Sequence, residues 1–313
     1  AVAGARADMP VAAWAVQQLE QPQEKPFFLA VGFLRPHVPY TAPKRFFEMY
    51  PLDTVIVPEV PEDEMQDIPL YGKAMAYGTL PRGDHREVLD LSPAYWRELV
   101  RAYLACVTFV DEQIGRVIDA LDASEHADNT IIVLWSDHGQ HLGEKKHWRK
   151  QALWEESTRV PLFFSYPGMP QRGLRNDSPV SLIDLYPTLS ALTGLPEQDL
   201  DGISLRKLLD DSDAARGRPV LSTRYPRNHA IRSQDWRYIR YRDGTEELYD
   251  HRVDPREHTN LAGDPAYADI MEAHRTYLPT FDALPAGEDH FPRDVYDELV
   301  ERFKEEGVPN WLN

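Results

Sequence analysis

The sequence predicts an α/β protein: a mostly parallel central sheet flanked by helices, then a smaller C-terminal antiparallel sheet with a helix on it. Three observations carry this. Short apolar runs at 131–135 and 162–166 alternate with helical patterns, the order that builds parallel sheets. Between the first run and the chain start, Leu99, Tyr103, Cys106, Val110, Ile114, Val117 and Leu121 recur in steps of three and four, a long amphipathic helix. After residue 216 the pattern changes to strand candidates at 220–225, 229–233, 237–242 and 247–250, with the hairpin signal Asp243-Gly244 between the last two.

The remaining elements follow in order. Asp8 suits the N-cap of a helix through Leu19. Pro22 and Pro26 separate it from the apolar run 27–33, which reads as a buried strand. The proline-dense stretch from there to Pro81 reads as a long, ordered surface loop; the chain holds 26 prolines in 313 residues, about 8% against about 5% on average. Ser92-Pro93 has the form of a cap followed by proline at the first position of the long helix. Residues 179–192 read as a helix ended by Gly194, and 265–277 as another, before an aromatic, charged tail. The acidic, small-residue link 210–216 suggests two domains, 1–212 and 213–313.

Charge narrows the partners. Lys and Arg number 34 against 51 Asp and Glu, a net charge of -17, which argues against nucleic acid and anionic membrane surfaces. No window approaches the roughly 18 consecutive apolar residues of a membrane span. Any anion site must be a local basic pocket. The single cysteine, Cys106, cannot form an intrachain disulfide and sits on the apolar stripe, so it reads as a core residue, not a nucleophile. No charged and then apolar leader opens the chain at Ala1, so an export signal is expected outside it.

The candidate chemistry lies in SDHGQHLGEKKHWRK, residues 136–150. Ligands of open α/β sheets bind at the carboxyl ends of strands, where Asp137 and His138 stand after the run 131–135. A carboxylate and an imidazole can share a divalent cation, with Gly139 letting the chain turn away. A capped turn with an ordinary histidine is an equal reading of those two residues. Two ligands also fall short of the about 6 to 8 oxygens of a calcium shell. Lys145, Lys146, His147, Arg149 and Lys150 put five basic groups within six residues; directly after a metal pair they favour an anion pocket over a solvated loop. His37, between Pro36 and Pro39 after the run 27–33, is presented by a stiff segment as an anion contact or general acid. Standing alone it would be a histidine in a surface turn.

Together and in this order, KPFFLAVGFLRPHVPY, RAYLACVTFVDEQIGRVIDAL, NTIIVLWSDHGQHLGEKKHWRK, TRVPLFFSYPG and ELYDHRVDPREHTNLA resemble the sulfatase family of the alkaline-phosphatase-like superfamily, most closely its iduronate-2-sulfatase-like branch. The resemblance implies that Asp137 and His138 are ligands of an active-site Ca2+. It implies that Lys150 contacts the sulfate and the leaving oxygen, and that His37 is the histidine of the family's Pro-His-x-Pro stretch. Lys146 and His147 would be substrate contacts in the same segment. A sulfated carbohydrate is the implied substrate, with a uronate 2-sulfate suggested by the iduronate-like pattern, and a periplasmic or secreted location, lysosomal in an animal.

The departure is equally informative. Sulfatases carry a Cys/Ser-x-Pro/Ala-x-Arg motif whose first residue becomes formylglycine, and paired N-terminal aspartates that complete the metal shell. Cys106-Val107-Thr108-Phe109-Val110 does not fit; Ser212-Asp213-Ala214-Ala215-Arg216 fits loosely but stands in the interdomain link and reads as chance. The chain therefore resembles the later part of a sulfatase, with nucleophile and first metal ligands expected upstream. Alone it should be inactive and should bind calcium weakly. Two other readings stay open: a phosphodiesterase or phosphonate hydrolase of the same superfamily, and a non-catalytic binder of sulfated glycans.

Overall fold

The amphipathic stretch after Ser92 forms a helix of 28 residues, the longest among the described residues. The computed structural model describes residues 7–92, 94–170, 173–284 and 294–313. In chain order its elements are helices α1 (Asp8–Leu19), α2 (Lys44–Glu48), α3 (Leu70–Tyr77), α4 (Asp84–Leu91) and α5 (Tyr95–Asp122), then strands β1 (Ile132–Trp135), β2 (His141–Leu142) and β3 (Trp148–Arg149). There follow α6 (Glu155–Thr158), β4 (Leu162–Ser165), α7 (Leu185–Thr193), α8 (Arg206–Asp210), β5 (Val220–Thr223), β6 (His229–Arg232), β7 (Trp236–Arg240), β8 (Glu246–Asp250), α9 (Ala268–Arg275) and α10 (Val295–Glu306). Two compact units result, one of Ala1–Pro58 with Val88–Ile132, the other of Glu59–Glu87 with Val133–Asn313. The boundary expected at 212/213 falls inside the second.

In the first unit, α1 and α2 pack on α5. Ala42, Phe46, Ala105, Cys106 and Phe109 form its cluster, and burial pushes the Cys106 thiol up to about 11, as suits a core residue. Of the cap expected there, Pro93 lies outside the described residues. Asp8 does not cap its own helix: its buried carboxylate accepts from Leu34 N at 2.6 Å and Arg35 N at 3.3 Å. The run 27–33 is not a strand. It has no ladder partner among the described residues and leaves Phe27 and Phe28 exposed. An apolar run becomes a strand only when a neighbour takes its N–H and C=O groups.

In the second unit β1 pairs with β4, the strands here of the expected central sheet, and β2 pairs with β3 antiparallel. The C-terminal sheet runs β5-β6-β7-β8, all antiparallel. Its register sets Ile231 opposite Tyr238 and Tyr238 opposite Leu248. With a side-chain period of two, these three face one way, into a cluster with Met271 of α9. Ala230, Ile239 and Tyr249 face the other way, against α3 and α10. The expected helix thus covers only one face.

The other face corrects the reading of the proline-dense stretch as surface loop. Every residue of α3 from Tyr71 to Tyr77 is buried, Lys73 included; a helix covered on all sides carries no one-sided periodic signature. α10 lies in the tail, capped by a reciprocal Asp294–Asp297 box. Gly194 ends α7 in the left-handed region, φ 71°, as expected of a C-terminal glycine.

Candidate functional site

Strand β1 delivers Ser136, Asp137 and His138 at its carboxyl end. Gly139 does not supply a left-handed turn here; a Cβ on it would lie 2.0 Å from Glu156 O, so glycine is needed for close backbone approach. Its N–H donates to Ser157 O at 2.9 Å, and Ser136 Oγ donates to His138 O at 2.9 Å. These bonds fix the backbone under the two candidate ligands.

The imidazole of His138 has a defined tautomer. Nδ1 lies 2.8 Å from Gly139 O, and since a carbonyl only accepts, Nδ1 carries the hydrogen and Nε2 a lone pair. Nε2 lies 3.6 Å from Asp137 Oδ2 and 2.8 Å from Lys150 Nζ. Asp137 is largely open to solvent, its side chain 82% exposed. Asp137, His138 and Lys150, separated by up to 13 positions in sequence, thus converge. A lone pair and a carboxylate oxygen this close fit part of a divalent-cation shell, with room for further oxygen ligands on the open side.

Lys150 is carried by a strained loop. Lys145, Lys146, Arg149 and Gln151 all have left-handed φ, 56°, 50°, 71° and 79°, each costing of the order of 1 kcal/mol or more. Anchors hold it there. Lys145 Nζ is buried against Glu64 Oε1 at 2.9 Å, bonds Glu257 O, and lies 4.9 Å from the Tyr249 ring centre. Lys146 Nζ donates to Glu62 O and Asn313 O, both at 3.1 Å. Arg149 pairs with Asp84.

His147 is buried, and burial lowers its pKa, so it is neutral with one N–H. Nε2, 3.0 Å from Lys150 O, is the better-placed donor against Nδ1, 3.5 Å from Ala76 O. Lys146 and His147, expected as substrate contacts, therefore point inward and brace the loop. Of the five basic groups only Lys150 is bonded to a candidate ligand. Behind them His141 is fully buried with Nε2 unbonded, and burial holds its pKa well below 6.5.

His37, in the first unit, is exposed on a clamped turn. Its Nδ1 lies 2.6 Å from Val38 O and its N–H donates to Leu34 O at 2.9 Å. The buried Arg35 spans the turn, donating to Thr41 O at 2.8 Å, Thr41 Oγ1 at 2.6 Å and His37 O at 3.4 Å. Arg216, the end of the loose nucleophile-like stretch, is consumed by a bidentate pair with buried Asp184, 2.8 Å on each side, which gives that stretch a structural role.

A second cluster escaped sequence reasoning. Glu155, His251 and Glu257 bring ligand atoms together, but Arg237 occupies their centre, 1% exposed and bonded to both carboxylates. Burial alone would raise the Glu257 carboxyl; Arg237 and His251 outweigh it and hold it down at about 2. It is an ion-pair node. No signal in sequence joins residues this far apart.

A family model described as Sulfatase matches residues 4–195. The chain belongs to the sulfatase family. A second model, N-sulphoglucosamine sulphohydrolase, C-terminal, matches residues 143–282 of this sulfatase chain. A sulfatase of Formosa agariphila is 39% identical over 284 residues, covering 90% of this chain and 55% of that protein. Iduronate 2-sulfatase of Homo sapiens is 31% identical over 223 residues, 58% of this chain and 38% of that protein. The chain spans about half the length of the curated relatives it matches. Among solved structures, a 2-O GAG sulfatase superposes with a TM-score of 0.70 at 25% identity, over 87% of this chain and 62% of that one. The α/β fold is the one shared by these alkaline-phosphatase-like sulfatases. Among the described residues no helix is long and apolar enough to cross a membrane.

Proposed function

We propose that the protein to which this sulfatase chain belongs hydrolyses sulfate esters of a sulfated sugar. The observation that carries the reading is the convergence of Asp137, His138 and Lys150 at the end of β1, with Nδ1 of His138 committed to Gly139 O and Nε2 left to accept from either Lys150 or a cation. Asp137 and His138 would hold Ca2+, with further ligands and a formylglycine nucleophile from a segment outside these 313 residues. When bound, those groups would supply a Lewis acid on the sulfate oxygens and a hydrated aldehyde to attack sulfur.

The chain's own residues do the rest. The Lys150 ammonium neutralises charge on the sulfate and on the leaving oxygen as the S–O bond breaks. For His37, in the first unit, the family resemblance supports a role as sulfate contact or as donor of the proton that the departing alkoxide would need. Lys145, Lys146, His147 and Arg149 hold Lys150 in position. The iduronate 2-sulfatase and 2-O GAG sulfatase relatives support a uronate 2-sulfate as substrate, and such sugars favour a periplasmic, secreted or lysosomal location.

The test compares hydrolysis of 4-nitrophenyl sulfate and bis(4-nitrophenyl) phosphate by the full-length protein, with and without calcium. Calcium-dependent preference for the sulfate, abolished by His138→Ala, is expected. Preference for the phosphodiester would reassign the site to that chemistry, and binding of sulfated glycan without turnover of either ester would make it a non-catalytic binder.

A further inference from the structure

Lys150 is fixed at its carbonyl, and the ring that fixes it leans on a fully buried tryptophan. His147 Nε2 donates to Lys150 O at 3.0 Å. Two other rings bracket that imidazole edge-on: His141, with ring centres 4.9 Å apart and planes at 76°, and Trp154, at 6.2 Å and 64°. His141 and Trp154 also meet edge-on, at 6.0 Å and 68°, so the three rings close on one another within the separations that aromatic pairs favour. His141 cannot withdraw from the set without giving up Glu144 O, 3.1 Å from its Nδ1.

Trp154 is 0% exposed, and the one polar atom of its side chain, a donor only, decides how the indole stands. Nε1 donates to Glu247 Oε2 at 2.8 Å. Glu247, buried as completely, also accepts from Tyr241 Oη at 2.6 Å and Tyr249 Oη at 2.5 Å. A buried carboxylate satisfied by three donors is a rigid mount. The main chain of Trp154 meanwhile leads into α6: its carbonyl accepts from Ser157 N at 3.1 Å, and Ser157 O accepts from Gly139 N at 2.9 Å. One residue therefore reaches Lys150 through its side chain and the backbone beneath His138 through its main chain.

We infer that Trp154 is a positioning residue: with its indole fixed by Glu247, it holds Lys150, through the His147 bond to the Lys150 carbonyl, in register with His138. Were the indole only core filling, a ring without the N–H would serve as well, and its loss would have no particular consequence at Lys150. The inference rests on the reading of Lys150 and His138 as the sulfate and metal ends of one site.

The experiment uses the full-length protein and a double-mutant cycle with Lys150→Ala. Trp154→Phe keeps a ring and removes the N–H; Glu247→Gln, which replaces an accepting oxygen by an NH2 group, repeats the test if the first variant does not fold. The substitution should lower kcat toward 4-nitrophenyl sulfate about tenfold with KM changed less than about twofold, the pattern of a transition-state contact misplaced by a fraction of the ångström that costs about 10²-fold. In the Lys150→Ala background it should cost less than about twofold, because the group it positions is gone. Equal losses in both backgrounds, or no loss in either, would make Trp154 ordinary core packing and overturn the inference. If the protein turns over no sulfate ester, the functional reading fails separately, and crystal structures of the metal-free parent and Trp154→Phe decide the positioning. The Lys150 Nζ to His138 Nε2 separation, 2.8 Å in the parent, should then exceed about 3.5 Å in the variant, and a bond kept at its length removes the role.

Discussion

Lys150 Nζ stands 2.8 Å from His138 Nε2, an ammonium donating to the lone pair that a metal would use. Because Nδ1 is committed to Gly139 O, the imidazole cannot turn its other nitrogen to the same point without losing that bond. Lys150 and a cation at Nε2 are therefore alternatives for one lone pair, and a bound cation would require the ammonium to give it up.

This makes Lys150 a point charge on a flexible stem by requirement. Lys150→Ala should lower kcat of the full-length protein toward 4-nitrophenyl sulfate by about 10² to 10³, the range for removing one stabilising group. Lys150→Arg should not restore it, since a rigid fork cannot follow the same displacement. The melting temperature should barely move in either variant, and arginine restoring activity would refute the displacement.

Gly139→Ala tests the backbone under the ligands. The added Cβ would lie 2.0 Å from Glu156 O and 2.9 Å from Arg159 O, both backbone atoms. Relief requires β1's end to part from α6 and the residue that follows it, costing about 1–3 kcal/mol by the scale of overpacked sites. Urea denaturation should show that loss, and activity should fall with it because His138 is the adjacent residue. Stability equal to the parent would mean that the close approach does not exist in solution.

That Asp137 and His138 stand side by side at a strand end was legible because that warrant is local, whereas Lys150 stood out only through the family resemblance. The sheet β5–β8 was legible from local signals too, its short apolar runs and Asp243-Gly244. Direction was not. Nothing in the string of basic residues tells that Lys145 turns inward to Glu64 and Glu257, some 80 and 110 positions away, or that four residues adopt left-handed φ. Charge patterns predict solvation, and only tertiary partners overturn that. Helix α3 was hidden by being buried on every side, and the run 27–33 read as a strand because apolarity is visible in sequence while a ladder partner is not.

Arg237 predicts a stability effect without a catalytic one. It is 1% exposed and serves Glu155, Glu257 and, at 2.9 Å, Leu153 O. Arg237→Met removes the cation that two carboxylates share, leaving Glu155 with Arg232 at 3.4 Å and Glu257 with His251 at 2.8 Å, a loss of about 3 kcal/mol visible as a lower denaturation midpoint. The pair also sets an acid limit. With its pKa held down at about 2 from 4.5, Glu257 contributes stability that is present above about pH 4.5 and is lost as pH falls toward 2. Arg237→Met should erase that part of the acid transition, and an unchanged transition would mean that the node adds nothing to folding.

Glu156 has the opposite sign. Burial first, then the charges of Glu257, Glu144 and Glu155, raise its carboxyl from 4.5 to about 7. A folded-state pKa above the unfolded one means that the native protein holds the proton more tightly. The contribution to stability is complete below about pH 4.5 and is lost as pH rises through 7. Glu156→Gln, which keeps the shape and removes the ionisation, should leave stability at pH 4.5 nearly unchanged and raise it at pH 8 by about 3 kcal/mol, the linkage value of such a shift. Urea denaturation of both proteins at the two pH values measures this difference directly. A variant with the parent's stability at both pH values would show that solvent reaches the carboxylate and relieves its charge.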